Sequence, residues 1–249
     1  MEQSVDFVAR SSVRHGVVEA AADGPVSTAD LIAGVDGSES SVYAALTELA
    51  DANVLVETDD GWVATGMGQA IASQLAERAA VQQLLRNHEE YWASHDLSVL
   101  PPRFRQTIGV LSNATIYRAT EADPGRVIRR VRQAMAAAEH LKVLSPVFHE
   151  DYVEAVGQTD TARIVVDWSV GDADPPADEG DVPPGTEIRL GGIDVALAVT
   201  ESELLLSFPS LNGTYDAQTE LIAETQAARD WGSRLFRSRW TDAEAVPSQ

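Results

Sequence analysis

Between residues 54 and 65 two short β-favouring runs, Val54-Leu55-Val56-Glu57 and Trp62-Val63-Ala64-Thr65, flank the turn Asp59-Asp60-Gly61. Such runs around an Asp-Gly turn predict a β-hairpin, because glycine reaches the positive φ that the turn needs. The chain before the hairpin reads as helical. Val5, Val8, Ala9, Val13, Val17 and Ala20 recur at helical spacing until Asp23-Gly24-Pro25 stops the helix. Ser27 caps a short helix holding Leu31 and Ile32, and Val35-Asp36-Gly37 turns the chain. Ser38 then caps a third helix whose Val42, Leu46 and Leu49 share one face. Three helices and a hairpin within the first 65 residues predict a winged helix-turn-helix.

The remainder alternates. An apolar-faced helix over residues 69–92 (Ile71, Leu75, Val81, Leu84, Leu85) suits either a dimer seam or a cover for a following core. Leu100-Pro101-Pro102 ends helical structure, and a short helix with Phe104, Ile108 and Leu111 comes next. Strands are expected over 115–119, 143–144, 163–167, 187–190, 195–200 and 204–208. Between them lie a helix over 123–139 with Asp123 as its cap, a helix near 152–156, and a polar loop over 171–185. A last helix is expected over 216–240. The fold class is therefore α+β / α/β: an N-terminal winged helix followed by a C-terminal mixed α/β domain. The expected division is 1–75 for the winged helix, 76–112 for connecting helices and 113–249 for the α/β domain.

Charge separates these parts. Asp and Glu number 39 against 18 Lys and Arg, for a net charge of −21, and Lys142 is the only lysine. That composition predicts a salt-loaded cytoplasm, where near 1 M salt the Debye length falls to about 3 Å and carboxylates barely repel one another. The expected location is cytoplasmic: Glu2 and Asp6 stand where a secretory signal would be basic, and no apolar run reaches membrane-spanning length. With no cysteine and no His-x-x-x-His pair, thiol chemistry and the usual zinc motifs are excluded, so no metal and no cofactor is expected. Gly-x-Ser-x-Gly, phosphate-loop and Gly-x-Gly-x-x-Gly patterns are absent as well. Ser94-His95-Asp96 is contiguous and points three ways, so His95 is expected to cap or pack beside Trp92, and no enzyme is expected.

The run GPVSTADLIAGVDGSESSVYAALTELADANVLVETDDGWVATGMG, with YWASHDLSVLPPRFRQTIGVLSNATIYRAT and SFPSLNGTYDAQTE further on, resembles haloarchaeal winged-helix transcriptional regulators of the methanogenesis-regulator type. The similarity to TrmB-type regulators is looser. The resemblance implies a double-stranded DNA partner and a C-terminal domain that senses a small molecule, holds a homodimer, or both.

On the third helix, rotation by 100° per residue sets Ser40, Ala44 and Thr47 opposite the apolar face, with Tyr43 at the flank. In a helix-turn-helix that face enters the major groove, where hydroxyls reach base edges and a methyl can touch thymine. Ser38, Ser40 and Ser41 lie at the helix N-terminus, which favours phosphate. Arg10 and Arg14 are the only basic residues before residue 76. Against DNA stands the −10 charge of residues 1–75; the alternative is a winged helix that makes only protein contacts. For a ligand, Arg126, Arg129 and Arg130 fall on one helical face and could hold a carboxylate or phosphate, or else pair with acids. Arg118, Asp167, Trp168 and Tyr215 are further candidates near strand ends and the 207–216 loop.

Overall fold

The apolar spacing expected to make one helix of residues 5–20 makes two. The computed structural model, which describes residues 2–147, 154–167 and 183–245, places α1 at Glu2–Ala9 and α2 at Ser12–Ala20. Ser11 between them is extended, and its hydroxyl accepts from the Arg14 amide. A capping hydroxyl offers the backbone an alternative to helix, so periodicity alone missed the break. α3 (Thr28–Gly34) and α4 (Glu39–Asp51) begin at the serines expected, Ser27 and Ser38. Asn53, at φ 59°, follows α4 in the left-handed conformation that Asn tolerates.

Strands β1 (Leu55–Thr58) and β2 (Gly61–Ala64) pair antiparallel with Thr58 opposite Gly61, leaving Asp59-Asp60 as a two-residue turn. Gly61 has φ 124°, and a Cβ there would lie 2.5 Å from the Val26 carbonyl oxygen. That approach exists because Val26 forms an isolated antiparallel bridge to Trp62 beside the two-stranded wing. Val8, Val17, Leu31, Val42, Leu46, Leu49, Val54 and Ile71 are buried together, so this is a winged helix with its own core. Contacts divide the chain into two units, residues 1–80 and 81–249. α5 (Gly66–Asn87) runs from the first into the second, burying Ile71 and Leu75 in one core and Leu84 in the other.

The second unit continues with α6 (Glu89–Ser94), α7 (Pro102–Gln106) and a 3-10 turn at Ile108–Leu111. Next come β3 (Thr115–Arg118), α8 (Arg126–Ala136), β4 (His140–Ser145), β5 (Thr161–Val166) and β6 (Thr186–Leu190). β7 (Ala196–Val199), β8 (Leu204–Ser207), β9 (Thr219–Ala223), α9 (Gln226–Asp242) and β10 (Glu244–Ala245) complete the described chain. The strands form one mixed sheet in the order β10-β6-β5-β4-β7-β8-β9-β3. Only β4, β5 and β6 run parallel; the remaining pairings are antiparallel.

α9 covers one face, where Leu204, Leu206, Leu221, Trp231, Leu235 and Phe236 pack. α8 covers the other with Val131 and Met135 against Leu141, Val143, Ala198 and Leu205. Gly232 sets the spacing on the α9 side: a Cβ would meet Leu204 Cδ1 at 2.6 Å.

Three expectations change. Residues 219–223, expected in the last helix, are β9: Thr-Glu-Leu-Ile-Ala lies buried between β8 and β3, and two-sided burial removes the polar–apolar alternation that marks a strand. The last helix begins only after Thr225, whose hydroxyl accepts from the Ala228 amide. Asp123 is not a helix cap either; it turns against Thr120, and Gly125 precedes α8. Trp168 and residues 171–182 of the expected loop lie outside the described residues. Trp231 is fully buried, meets Phe104 edge-on and donates from Nε1 to Thr107 Oγ1 at 3.1 Å. Trp231→Ala should therefore destabilise the second unit by about 3–5 kcal/mol, read as a lower denaturant midpoint, while the helical signal of residues 1–80 persists.

Candidate nucleic-acid interface

Packing of α4 decides which of its side chains face outward. Val42, Ala45, Leu46 and Leu49 are buried, which leaves Ser40, Tyr43, Ala44 and Thr47 exposed on the opposite side, Tyr43 by 51%. The expected strip is thus contiguous and open. Its hydroxyls are held by the helix itself: Thr47 Oγ1 donates to the Tyr43 carbonyl at 3.1 Å. Ser38 Oγ lies 3.0 Å from Ser40 Oγ and 2.7 Å from Ser41 Oγ while accepting from the Ser41 amide. Such hydroxyls rotate at little cost and can donate outward instead.

The two basic candidates separate. Arg10 is exposed in the break between α1 and α2. Arg14 is turned inward: its guanidinium stacks on Phe7 with 4.0 Å to the ring centroid and bonds Glu48 at 2.7 Å, with its side chain 18% exposed. It therefore braces α2 against α4 and neutralises the carboxylate next to Thr47. The wing carries Glu57, Asp59 and Asp60, all exposed, so it presents negative charge.

The ligand candidates of the second unit do not gather round one opening. On α8, Arg129 pairs with Asp123, Arg130 with Glu203 and Arg132 with Glu154, while Arg126 covers the Tyr117 ring at 4.2 Å. Arg118 is exposed at the end of the edge strand β3. Asp167 Oδ2 accepts from the Ile193 amide at 3.3 Å, and Tyr215 is half-buried in the loop before β9.

A different polar group, not foreseen from the sequence, lies inside this unit. His95 is buried, stacks on Tyr91 at 3.8 Å, and is held between the Tyr91 carbonyl (2.7 Å from Nδ1) and Asp216 (3.0 Å from Nε2). Ser94 Oγ also lies 3.1 Å from His95 Nδ1, the nitrogen that faces the Tyr91 carbonyl. The expected neighbour, Trp92, instead meets Tyr91 edge-on.

Burial pushes the Tyr91 hydroxyl up despite the Phe208 amide bonded to it. Asp216 is raised by its own burial, but bonds from Thr219, the Gln218 amide and His95 outweigh this and hold it below the ordinary carboxylate range. Glu220 is pushed up to about 8, first by burial and then by Asp216 and Glu203, with Arg130 opposing. Assigning residues 216–240 to one helix hid this group, because strand register is what sets Glu220 opposite Tyr117.

Residues 2–86 match the family model described as HVO_A0261 N-terminal domain. Residues 186–242 match that of the methanogenesis regulatory protein FilR1, middle domain. The methanogenesis regulatory protein FilR1 of Methanothrix harundinacea (strain 6Ac) is 22% identical over 224 residues, covering 83% of this chain and 50% of that protein. Over these residues the chain is similar to methanogenesis regulatory proteins of this type. It spans about half the length of that relative. Among solved structures, the archaeal chromatin protein TrmBL2 aligns over 98% of this chain and 99% of its own, at 13% identity and a TM-score of 0.40. The N,N-8-amino-8-demethyl-D-riboflavin dimethyltransferase of Streptomyces davawensis aligns over 76% of this chain and 64% of its own, at 16% identity and a TM-score of 0.27. Among the described residues, no helix is long and apolar enough to cross a membrane.

Folding raises the Glu220 pKa from the ordinary 4.5 to about 8. Its contribution to stability is therefore fully present below about pH 4.5 and is lost as the pH rises through about 8. Glu220→Gln should flatten the loss of stability between those limits and raise stability at the alkaline end by an amount on the order of 2–5 kcal/mol. Denaturant midpoints of both proteins across this pH range test it; parallel curves would reject the buried-acid reading.

Proposed function

We propose that the chain is a DNA-binding transcriptional regulator of a halophilic archaeon, with α4 reading base edges in the major groove. The observation that carries this reading is the open strip Ser40, Tyr43, Ala44 and Thr47, set outward by the burial of Val42, Ala45, Leu46 and Leu49. The match of residues 2–86 and 186–242 to the domains of a regulator family supports it. The second unit senses a small molecule, holds a homodimer, or both. Two strips related by a two-fold axis would address half-sites one helical turn apart, or a multiple of it. A ligand would act by binding the DNA-competent and incompetent dimers with different affinities.

The acidity of the first unit shapes the mode of binding. With Arg14 paired to Glu48, few guanidiniums remain to neutralise phosphates, so the usual counterion-release gain is small. Hydroxyl, methyl, aromatic and backbone contacts remain, and potassium ions can sit between wing carboxylates and phosphates. The same wing carboxylates, Glu57, Asp59 and Asp60, favour a second reading in which the winged helix contacts only protein.

Titration of purified protein against promoter fragments of its host in multimolar KCl separates the two. DNA reading predicts selective binding, weakened about 10-fold or more by Ser40→Ala with Thr47→Val, since base contacts contribute roughly 1–3 kcal/mol each. The thermal unfolding midpoint should stay unchanged. Affinity should hold or rise between low and molar KCl, whereas a steep fall would reject cation bridging. Absence of preference for any promoter fragment would leave the protein-contact reading.

A further inference from the structure

The second unit holds a cationic cleft that neither the sequence pattern nor the relatives point to. It lies between α7 and the last turns of α9 and has a volume of about 480 Å³. Arg234, Arg237, Ser238 and Thr241 line one wall at the i, i+3, i+4, i+7 spacing of a single helical stripe. Arg103, Phe104 and Thr107 line the other. Phe104 is buried and locked edge-on to Trp231, and Thr107 Oγ1 accepts from Trp231 Nε1, so this wall is anchored in the core.

The three arginines differ from most others in the chain. Arg14, Arg129, Arg130, Arg132 and Arg163 each face a carboxylate. On α9 itself, Arg229 donates to the Ser202 carbonyl and Arg239 to that of Val99. Arg103, Arg234 and Arg237 are exposed and form no ion pair among the described residues, although Arg103 lies over the Phe104 ring at 5.0 Å. Among the described residues no acid lines the cleft, although acids outnumber bases by 39 to 18 along the chain. Three guanidiniums converging on one concavity repel one another, and an anion placed among them removes that repulsion and gains charge-assisted hydrogen bonds. The volume is in the range of small-molecule sites, which run to roughly 300–1,000 Å³.

We propose that the cleft between α7 and α9 binds a small organic anion, a carboxylate or phosphate joined to an apolar body, with Arg103, Arg234 and Arg237 on the anionic group and Phe104 beneath the apolar part. This deepens the sensing role assigned above to the second unit. Because it is read by ligand binding alone, its failure is separate from failure of DNA reading.

Calorimetric titration of the full chain in molar KCl, where long-range attraction of anions is screened out and only close contacts register, uses phenyl phosphate, benzoate and neutral benzyl alcohol as probes. At least one anion should saturate, benzyl alcohol should not, and the ratio of the two anions tells phosphate from carboxylate preference. Arg234→Gln with Arg237→Gln should weaken the anion about 10-fold or more, and Arg103→Gln, on the opposite wall, should weaken it independently. Circular dichroism checks folding, and Arg103→Gln decides the matter if the double variant does not fold. Equal affinity of wild type and variants, or no saturation by either anion up to about 10 mM, would overturn the proposal. Displacement of phenyl phosphate by duplex DNA would also overturn it, assigning the cleft to nucleic acid.

Discussion

The core of the first unit around Leu49 and that of the second, around Trp231 on one sheet face and Leu205 on the other, supply the cohesion of a chain whose acidic side chains outnumber its basic ones by 39 to 18. Charge of one sign works against compactness, and apolar burial must exceed that repulsion together with the entropy of ordering the chain. The first core is assembled by short, serine-capped helices closed by a two-stranded wing. The second is assembled by a sheet covered on both faces, so that β8 and β9 are buried on each side. Everything exposed at the candidate interfaces is a consequence of what these cores take inward.

On α4 that consequence is direct. Four apolar residues commit one side of the helix to the core, and the small, hydroxyl-bearing and aromatic side chains left outside form a surface without a carboxylate among Ser40, Tyr43, Ala44 and Thr47. Glu48, next to Thr47, is held by Arg14, which in turn rests on Phe7, while Glu39 and Asp51 at the two ends of the helix are exposed. An arginine that sequence position marks as a phosphate contact thus supports the strip from behind. The second unit divides its arginines likewise: Arg129, Arg130 and Arg132 of α8 pair with acids, and Arg234 and Arg237 on the outer stripe of α9 do not.

Much of the first unit was legible because its signals are local. Ser27 and Ser38 cap helices, Asp59-Asp60 turns a hairpin, and the apolar spacing of residues 42–49 sets a face; each involves residues within a few positions of one another. The break at Ser11 was missed because apolar spacing continues across it. In the second unit the strands with parallel or two-sided burial carry weaker local marks. Thr219–Ala223 reads equally as helix or strand until β8 and β3 are known to flank it.

Local chemistry alone specifies the winged helix, the identity of its outward strip and the mixed α/β character of the second unit, since capping, turn chemistry and helical period act over short chain distances. Long-range packing was needed to show that Arg14 faces Glu48, that Glu220 is a buried acid beside Asp216 and Arg130, and that Arg103 meets Arg234 and Arg237 across one cleft. Those pairings join residues far apart in the chain, and their energies depend on distance and burial, which no local pattern encodes.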